Sequence, residues 1–324
     1  MCKLPPRETQ QPDGGPAAQA LPRLRLAGSA AAAGSAAGVA AFLAFPPADL
    51  GFLGFVCLAP LYLVFRRSPS GSVAASGAAF GLVFFGLLVS WMRLFGGPAY
   101  VSLVLLQTFW VVAALYGGSR LKDRGGPAWL VFPLCFLAAE YLRSRFPFGG
   151  FAWGGLGYAA HDSAYLLRLA SYTGVWGLTL LMCSASVAGV EAAIAWRGDR
   201  RRALRLAAVP ALSLLAPGLL PAGLPEGPPV RVAMVQADVP ENTDDPHFDD
   251  LTVFESHLEL TRTAAPRTPE LVVWAENAFD DDPLSDPGLE GPLRRVIAET
   301  SAAFLVGGIL DSPNPHLGEI QNAN

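Results

Sequence analysis

Charge is what this sequence has least of. Only 15% of its 324 residues are Asp, Glu, Lys or Arg, while 52% are hydrophobic, a balance that argues against a single soluble globule. Cysteine is scarce too. Cys2, Cys57, Cys135 and Cys183 form no CxxC pair, and three of them sit inside apolar runs, so neither a disulfide framework nor a zinc site is expected. Lysine is scarcer still: Lys3 and Lys122 are the two in the chain, and none follows residue 122. Asp280, Asp281 and Asp282 lack the spacing of a calcium loop and read as a solvated turn. No metal, no cofactor and no nucleic-acid partner is expected.

The charge that is present is divided unevenly. Residues 1–225 carry 18 Lys and Arg against 8 Asp and Glu, whereas residues 226–324 carry 5 Arg against 19 acids. Two regions in different surroundings follow from that division. Residues 1–22, rich in Pro, Gln, Gly and Ala without periodicity, read as a disordered cytoplasmic tail. Residues 23–222 read as a transmembrane helical domain. Apolar runs fall at 26–45, 50–65, 73–95, 100–119, 127–142, 173–196 and 203–220, mostly near the ~20 residues a bilayer-spanning helix needs. The first run also fits a cleaved signal, but further runs follow it at once, which favours an uncleaved helix.

Basic residues in the connecting segments orient the spans, because loops kept in the cytoplasm are enriched in Lys and Arg. With the N-terminus inside, inner segments hold 14 basic residues and outer ones 4. Seven spans then place everything after residue 222 outside the cytoplasmic membrane. One outer loop stands apart, FPFGGFAWGGLGY at Phe146–Tyr158. Its aromatics suit a membrane-water interface; the other reading is the mouth of a lipid-binding cavity, and composition alone favours the interface. Glu140 and Arg143, three residues apart near the end of the fifth run, have the helical spacing of a pair. An acid in a span is a functional candidate, although a structural ion pair fits the same spacing.

After a Pro/Gly linker at 223–229, Val230–Ala237, Leu271–Trp274 and Ala303–Leu310 read as strands separated by helical segments at Phe248–Thr263 and Leu289–Ser301. Alternating strands and helices mark an α/β layer. In VVWAEN, Glu276 comes just past a buried strand, the position from which such folds present reactive groups. A base needs such a fixed carboxylate; a solvated loop acid at the head of an acidic run fits the pattern equally.

Several segments in order, FPPADLGFLGFVCLAPL, AAEYLRSRFPFGGFAWGGLGY, LASYTGVWGLTLL, VRVAMVQADVP, VVWAEN and FLVGGIL, resemble the apolipoprotein N-acyltransferase family. The DDDP that follows is similar to actinobacterial members. The resemblance implies a polytopic α-helical membrane domain of about seven spans followed by part of an α/β nitrilase-like (carbon-nitrogen hydrolase) sandwich, residues 230–324. It implies a multi-pass, monomeric protein of the inner (cytoplasmic) membrane whose soluble domain is extracytoplasmic. Its substrates would be a phospholipid acyl donor and a diacylated apolipoprotein, joined by a Glu-Lys-Cys thioester mechanism. Glu276 matches the catalytic glutamate, Trp153 a tryptophan at the substrate mouth, and Glu140 with Arg143 the family's Glu-x-x-Arg, which gives these three a substrate-binding role. The sequence departs from the family in that no lysine follows Lys122 and no cysteine follows Cys183, and Ala275 precedes the glutamate where proline is usual. The expectation is a chain truncated within the nitrilase-type domain and inactive as it stands. The alternative is a non-catalytic membrane protein whose half domain binds lipid or a partner; a transporter ranks below both, since Glu140 lies near a span boundary and no inverted repeat is visible.

Overall fold

The computed structural model describes residues 16–220, 227–238, 250–275, 278, 286–311 and 320–323. Its contacts divide the chain into two compact units, Met1–Ala222 and Gly223–Asn324.

The first unit is helical. Helix α1 spans Pro16–Leu43, α2 Ala59–Arg67, α3 Ser70–Leu88, α4 Gly97–Asp123, α5 Ala128–Arg143, α6 Ala164–Ala195 and α7 Arg200–Leu219. Three of them, α3, α4 and α6, are long and apolar enough to cross a membrane by length and composition, and Ala27–Leu43 within α1 is a shorter apolar segment. The start of α1 corrects the expected tail. Ala17, Ala18, Ala20 and Leu21 are strong helix formers, and Pro16 fits the first helical position, so the helix begins inside residues 1–22; residues 1–15 lie outside the described set. A second correction concerns the run at 50–65, which forms no continuous helix. It breaks into a 3-10 turn at Gly51–Phe55 and the nine-residue α2, with Pro60 in the first turn of α2. Nine residues rise roughly 14 Å, well short of the about 30 Å of a bilayer core. Helix α6 is one element broken at Gly174 (φ 64°, ψ −173°), so the helix redirects just where the apolar run at 173–196 begins.

Aromatic side chains fill the centre of this unit. Phe132 of α5 meets Tyr62 and Phe65 of α2 edge-on at 5.3 Å, and Phe80, Phe84 and Phe136 continue the cluster. Small residues let the helices approach, as they do where apolar solvent offers no hydrophobic drive to pack. At Gly81 of α3 an added Cβ would lie 2.8 Å from the Cα of Thr108 in α4. Gly81→Ala is therefore expected to destabilise the unit by about 1–3 kcal/mol through overpacking, against alanine's better helix propensity. Gly71→Ala, with open space around it, is expected to be neutral or slightly stabilising. Thermal unfolding in detergent reads both, and equal effects would remove the packing argument.

The second unit has strands β1 (Val232–Val235), β2 (Leu271–Trp274) and β3 (Ala303–Leu305), with helices α8 (Asp250–Ala264) and α9 (Pro287–Thr300) in the two connections. The strands pair in parallel in the order β1-β2-β3, with Val232 opposite Leu271 and Leu271 opposite Ala303. Parallel neighbours need a crossover each, and α8 and α9 supply them. Val235, Phe254, Leu258, Val272, Trp274, Leu289 and Val296 form the core. Within it His257 lies 3.3 Å from the amide of Ala237 and 2.8 Å from the carbonyl of Val253, and the indole N–H of Trp274 donates to Thr261 at 2.9 Å. The run at 303–310 differs from the single strand expected. It divides into β3 and β4 (Gly308–Asp311), and β4 pairs antiparallel with β5 (Ile320–Ala323). Gly307 and Gly308 fall at the division, where missing side chains weaken a strand.

Candidate functional site

The site in the first unit is built around the loop after α5, and two buried charges hold that loop. Glu140 and Arg143 lie one helical turn apart, 5% and 2% exposed, with 4.0 Å between carboxylate and guanidinium. Charges so deep need hydrogen bonds, and the loop backbone supplies several of them, although Arg143 Nε has no partner among the described residues. Arg143 Nη1 donates to the carbonyls of Phe151 (3.0 Å) and Trp153 (2.8 Å) and to Gln107 of α4 (3.1 Å). Glu140 accepts the Leu156 amide at 2.8 Å and the Thr179 hydroxyl of α6 at 2.8 Å. The same Thr179 oxygen accepts the Gly157 amide at 3.0 Å. Helices α5 and α6 thus grip the loop by its main chain, with Gln107 of α4 bracing Arg143, leaving the loop's side chains free to face elsewhere.

Trp153 uses that freedom. Its backbone is bound by Arg143 while its indole is 56% exposed, stacked on Phe151 and tilted against Trp91 at 5.7 Å. Gly154 follows with φ +75°, and a Cβ there would collide with Leu88, so the turn that presents the indole requires glycine. The indole is part of the wall of a cavity of about 620 Å³, with Phe45, Leu88, Trp91, Tyr158 and His161 among its lining. A mostly apolar hollow of this size with a few polar groups is the usual form of a small-molecule site. Elsewhere on the loop, Phe146 and Phe148 project outward, exposed, as interfacial aromatics do.

Beside the cavity, His161 Nε2 lies 3.7 Å from Asp49 and 3.6 Å from Asp162. Among the described residues these three alone bring metal-type donors within 4.8 Å of one another, and all are exposed. A hydrogen bond from Asp162, with smaller contributions from burial and like charge, holds the Asp49 carboxyl above its ordinary pKa.

The structure thus brings Glu140, Arg143 and Trp153 together, the first two through the loop's backbone. Glu276 lies outside the described residues, as do Asp280, Asp281 and Asp282; the described chain leaves β2 at Ala275, and the next placed residue, Ala278, donates its amide to Gly307 at 3.1 Å. Sequence reasoning missed Gln107, Thr179 and Trp91. A lone glutamine inside an otherwise apolar helix was the available signal; Thr179, one threonine among several, gave none.

Helices apolar enough for a bilayer, and an aromatic hollow beside a clamped loop, define a membrane-type unit suited to an amphiphile. Comparison with known proteins narrows the class. Residues 37–188, which include the whole lining of that cavity, match the family model described as the apolipoprotein N-acyltransferase N-terminal domain. A protein of Geobacter metallireducens named apolipoprotein N-acyltransferase is 30% identical over 288 residues, 80% of this chain and 54% of the relative. Proteins of the same name from Methylococcus capsulatus (29% over 248 residues, 72% and 48%) and Pseudomonas putida (28% over 300 residues, 84% and 56%) are similar in extent. Residues 37–188 thus match the N-terminal domain of the apolipoprotein N-acyltransferase family, and the chain is similar to proteins of that name well beyond that domain. It spans about half the length of the curated relatives it matches.

Proposed function

We propose that this chain carries the lipid-handling half of an apolipoprotein N-acyltransferase, with the Trp153 cavity taking an acyl chain of a phospholipid donor. The observation that carries this is the cavity itself: apolar, aromatic, about 620 Å³, and walled by a loop whose backbone is fixed from α5 and α6. Glu140 and Arg143 serve the substrate by holding that wall. The setting is the inner membrane, crossed by the long apolar helices of a monomeric chain whose residues 230–324 form part of a nitrilase-like domain on the outer side.

In the full reaction a cysteine thiolate attacks the phospholipid ester carbonyl and expels the lysophospholipid alcohol, leaving a thioester. The α-amine of a diacylglyceryl-cysteine then attacks the thioester and releases the thiol. Glu276 is the base that takes the thiol proton, and a lysine stabilises the oxyanion. The 324-residue chain has no lysine after Lys122 and no cysteine after Cys183, so as a polypeptide of this content it binds donor lipid without turning it over.

Two measurements address this. Incubation with phospholipid carrying a labelled acyl chain, followed by hydroxylamine treatment, is expected to show no sulfur-linked label; a labelled, hydroxylamine-sensitive chain would overturn the proposed lack of turnover. Trp153→Ala is expected to weaken capture of a photoactivatable acyl chain by about tenfold, in line with the 1–3 kcal/mol that loss of an aromatic anchor costs. Undiminished labelling of the segment 152–161 would remove the lipid role of the cavity.

A further inference from the structure

A second cavity, of about 440 Å³, opens between α5, α6 and α7. It shares no lining residue with the first. Its walls come from the start of α5, the second half of α6 and the start of α7, whereas the first cavity draws on the loop between α5 and α6. Trp129, Leu134, Leu180 and Val187 make the surface apolar, and two charged side chains, Glu191 and Arg202, reach it.

The two charges are not equivalent. Glu191 is already engaged, accepting the Tyr62 hydroxyl at 2.6 Å and Arg66 Nε at 2.7 Å, so its charge is compensated from α2. Arg202 is exposed and makes no ion pair among the described residues; only its backbone amide is held, by the Asp199 carboxylate at 3.0 Å. Arg197, Arg200, Arg201 and Arg205 stand around it in sequence, which raises the local positive potential. One more polar group at the cavity lacks a partner: the Ser184 hydroxyl makes no hydrogen bond among the described residues. An apolar slot with an available guanidinium and a hydroxyl matches one kind of ligand, an amphiphile with an anionic head.

We propose that this cavity binds an anionic phospholipid, its phosphate on Arg202 and an acyl chain along the apolar wall between α5 and α6. Charge-assisted contact to phosphate suits the arginine fork. The site is independent of acyl transfer and rests only on the membrane setting of the helices.

The test is native mass spectrometry of the detergent-solubilised 324-residue chain with phosphatidylglycerol and phosphatidylcholine of identical chains. Retention of phosphatidylglycerol is expected to exceed that of phosphatidylcholine by about tenfold, the effect of one charge-assisted contact. Arg202→Gln is expected to abolish the difference, Arg197→Gln to leave it, and Ala188→Phe, which fills the slot, to lower both lipids. Trp153→Ala, which addresses the other cavity, is expected to leave the difference intact, so failure of one site is separable from failure of the other. Equal retention of the two lipids overturns the proposal. So does an equal loss in Arg202→Gln and Arg197→Gln, the sign of a diffuse attraction; if Ala188→Phe does not fold, that comparison decides alone.

Discussion

Arg143→Leu is expected to destabilise the helical unit by about 3–5 kcal/mol and to release the loop at 151–157. The leucine fills much of the space, but it leaves the Glu140 carboxylate buried without its cation, and an orphaned buried charge is the costly half of such a substitution. It also frees the carbonyls of Phe151 and Trp153 and the side chain of Gln107 at once. Glu140→Gln together with Arg143→Leu is expected to recover part of the loss, since the neutral amide no longer needs a counter-charge. Thermal unfolding measures the stability, and 19F NMR of 5-fluorotryptophan, with the Trp153 resonance assigned through Trp153→Phe, reports on the loop. A single variant as stable as the parent, with an unmoved Trp153 signal, would mean that the clamp holds nothing.

Trp274→Ala is expected to unfold the second unit. The indole is buried, packs edge-on against Phe254 and Phe304, and lies 5.1 Å from the His257 ring. Truncating a buried tryptophan costs about 3–5 kcal/mol, a loss that a core with eight buried apolar residues among the described ones has little surplus to absorb. Trp274→Phe isolates the polar part. It keeps an aromatic ring but leaves the Thr261 oxygen without the indole donor, although the Thr261 hydroxyl still donates to the His257 carbonyl at 2.7 Å; a cost of about 1–2 kcal/mol follows. Hydrogen exchange of the β2 amides in the full chain reads both substitutions. Protection unchanged in Trp274→Ala would show that the sheet does not depend on this core.

Much of this organisation was legible in the sequence because it rests on periodicity and on spacing. The i, i+3 relation of Glu140 and Arg143 survives folding directly, and the alternation of valine-rich runs with helical segments after residue 230 gave the strand and helix order. What stayed hidden depends on contacts between distant segments. Thr179 looks like any hydroxyl in an apolar helix until α6 is packed beside α5, when its single oxygen serves both Glu140 and Gly157. The run at 50–65 looked like a span because hydropathy does not register Gly51, Gly54 and Pro60 as breaks. The second cavity was invisible for the same reason, since its lining is spread over residues 129 to 206.

Both ring nitrogens of His257 are engaged by main-chain groups. The Val253 carbonyl can only accept, so the proton of the ring sits on Nδ1. Nε2 then carries the lone pair that receives the Ala237 amide. The imidazole is thereby fixed as a single neutral tautomer, and the chain just past β1 is registered to α8 through a bond with one permitted direction. Neither a lysine nor a carboxylate at position 257 could offer both a donor and an acceptor in that arrangement while remaining charged. The ring joins the first crossover to the sheet by the orientation of one proton.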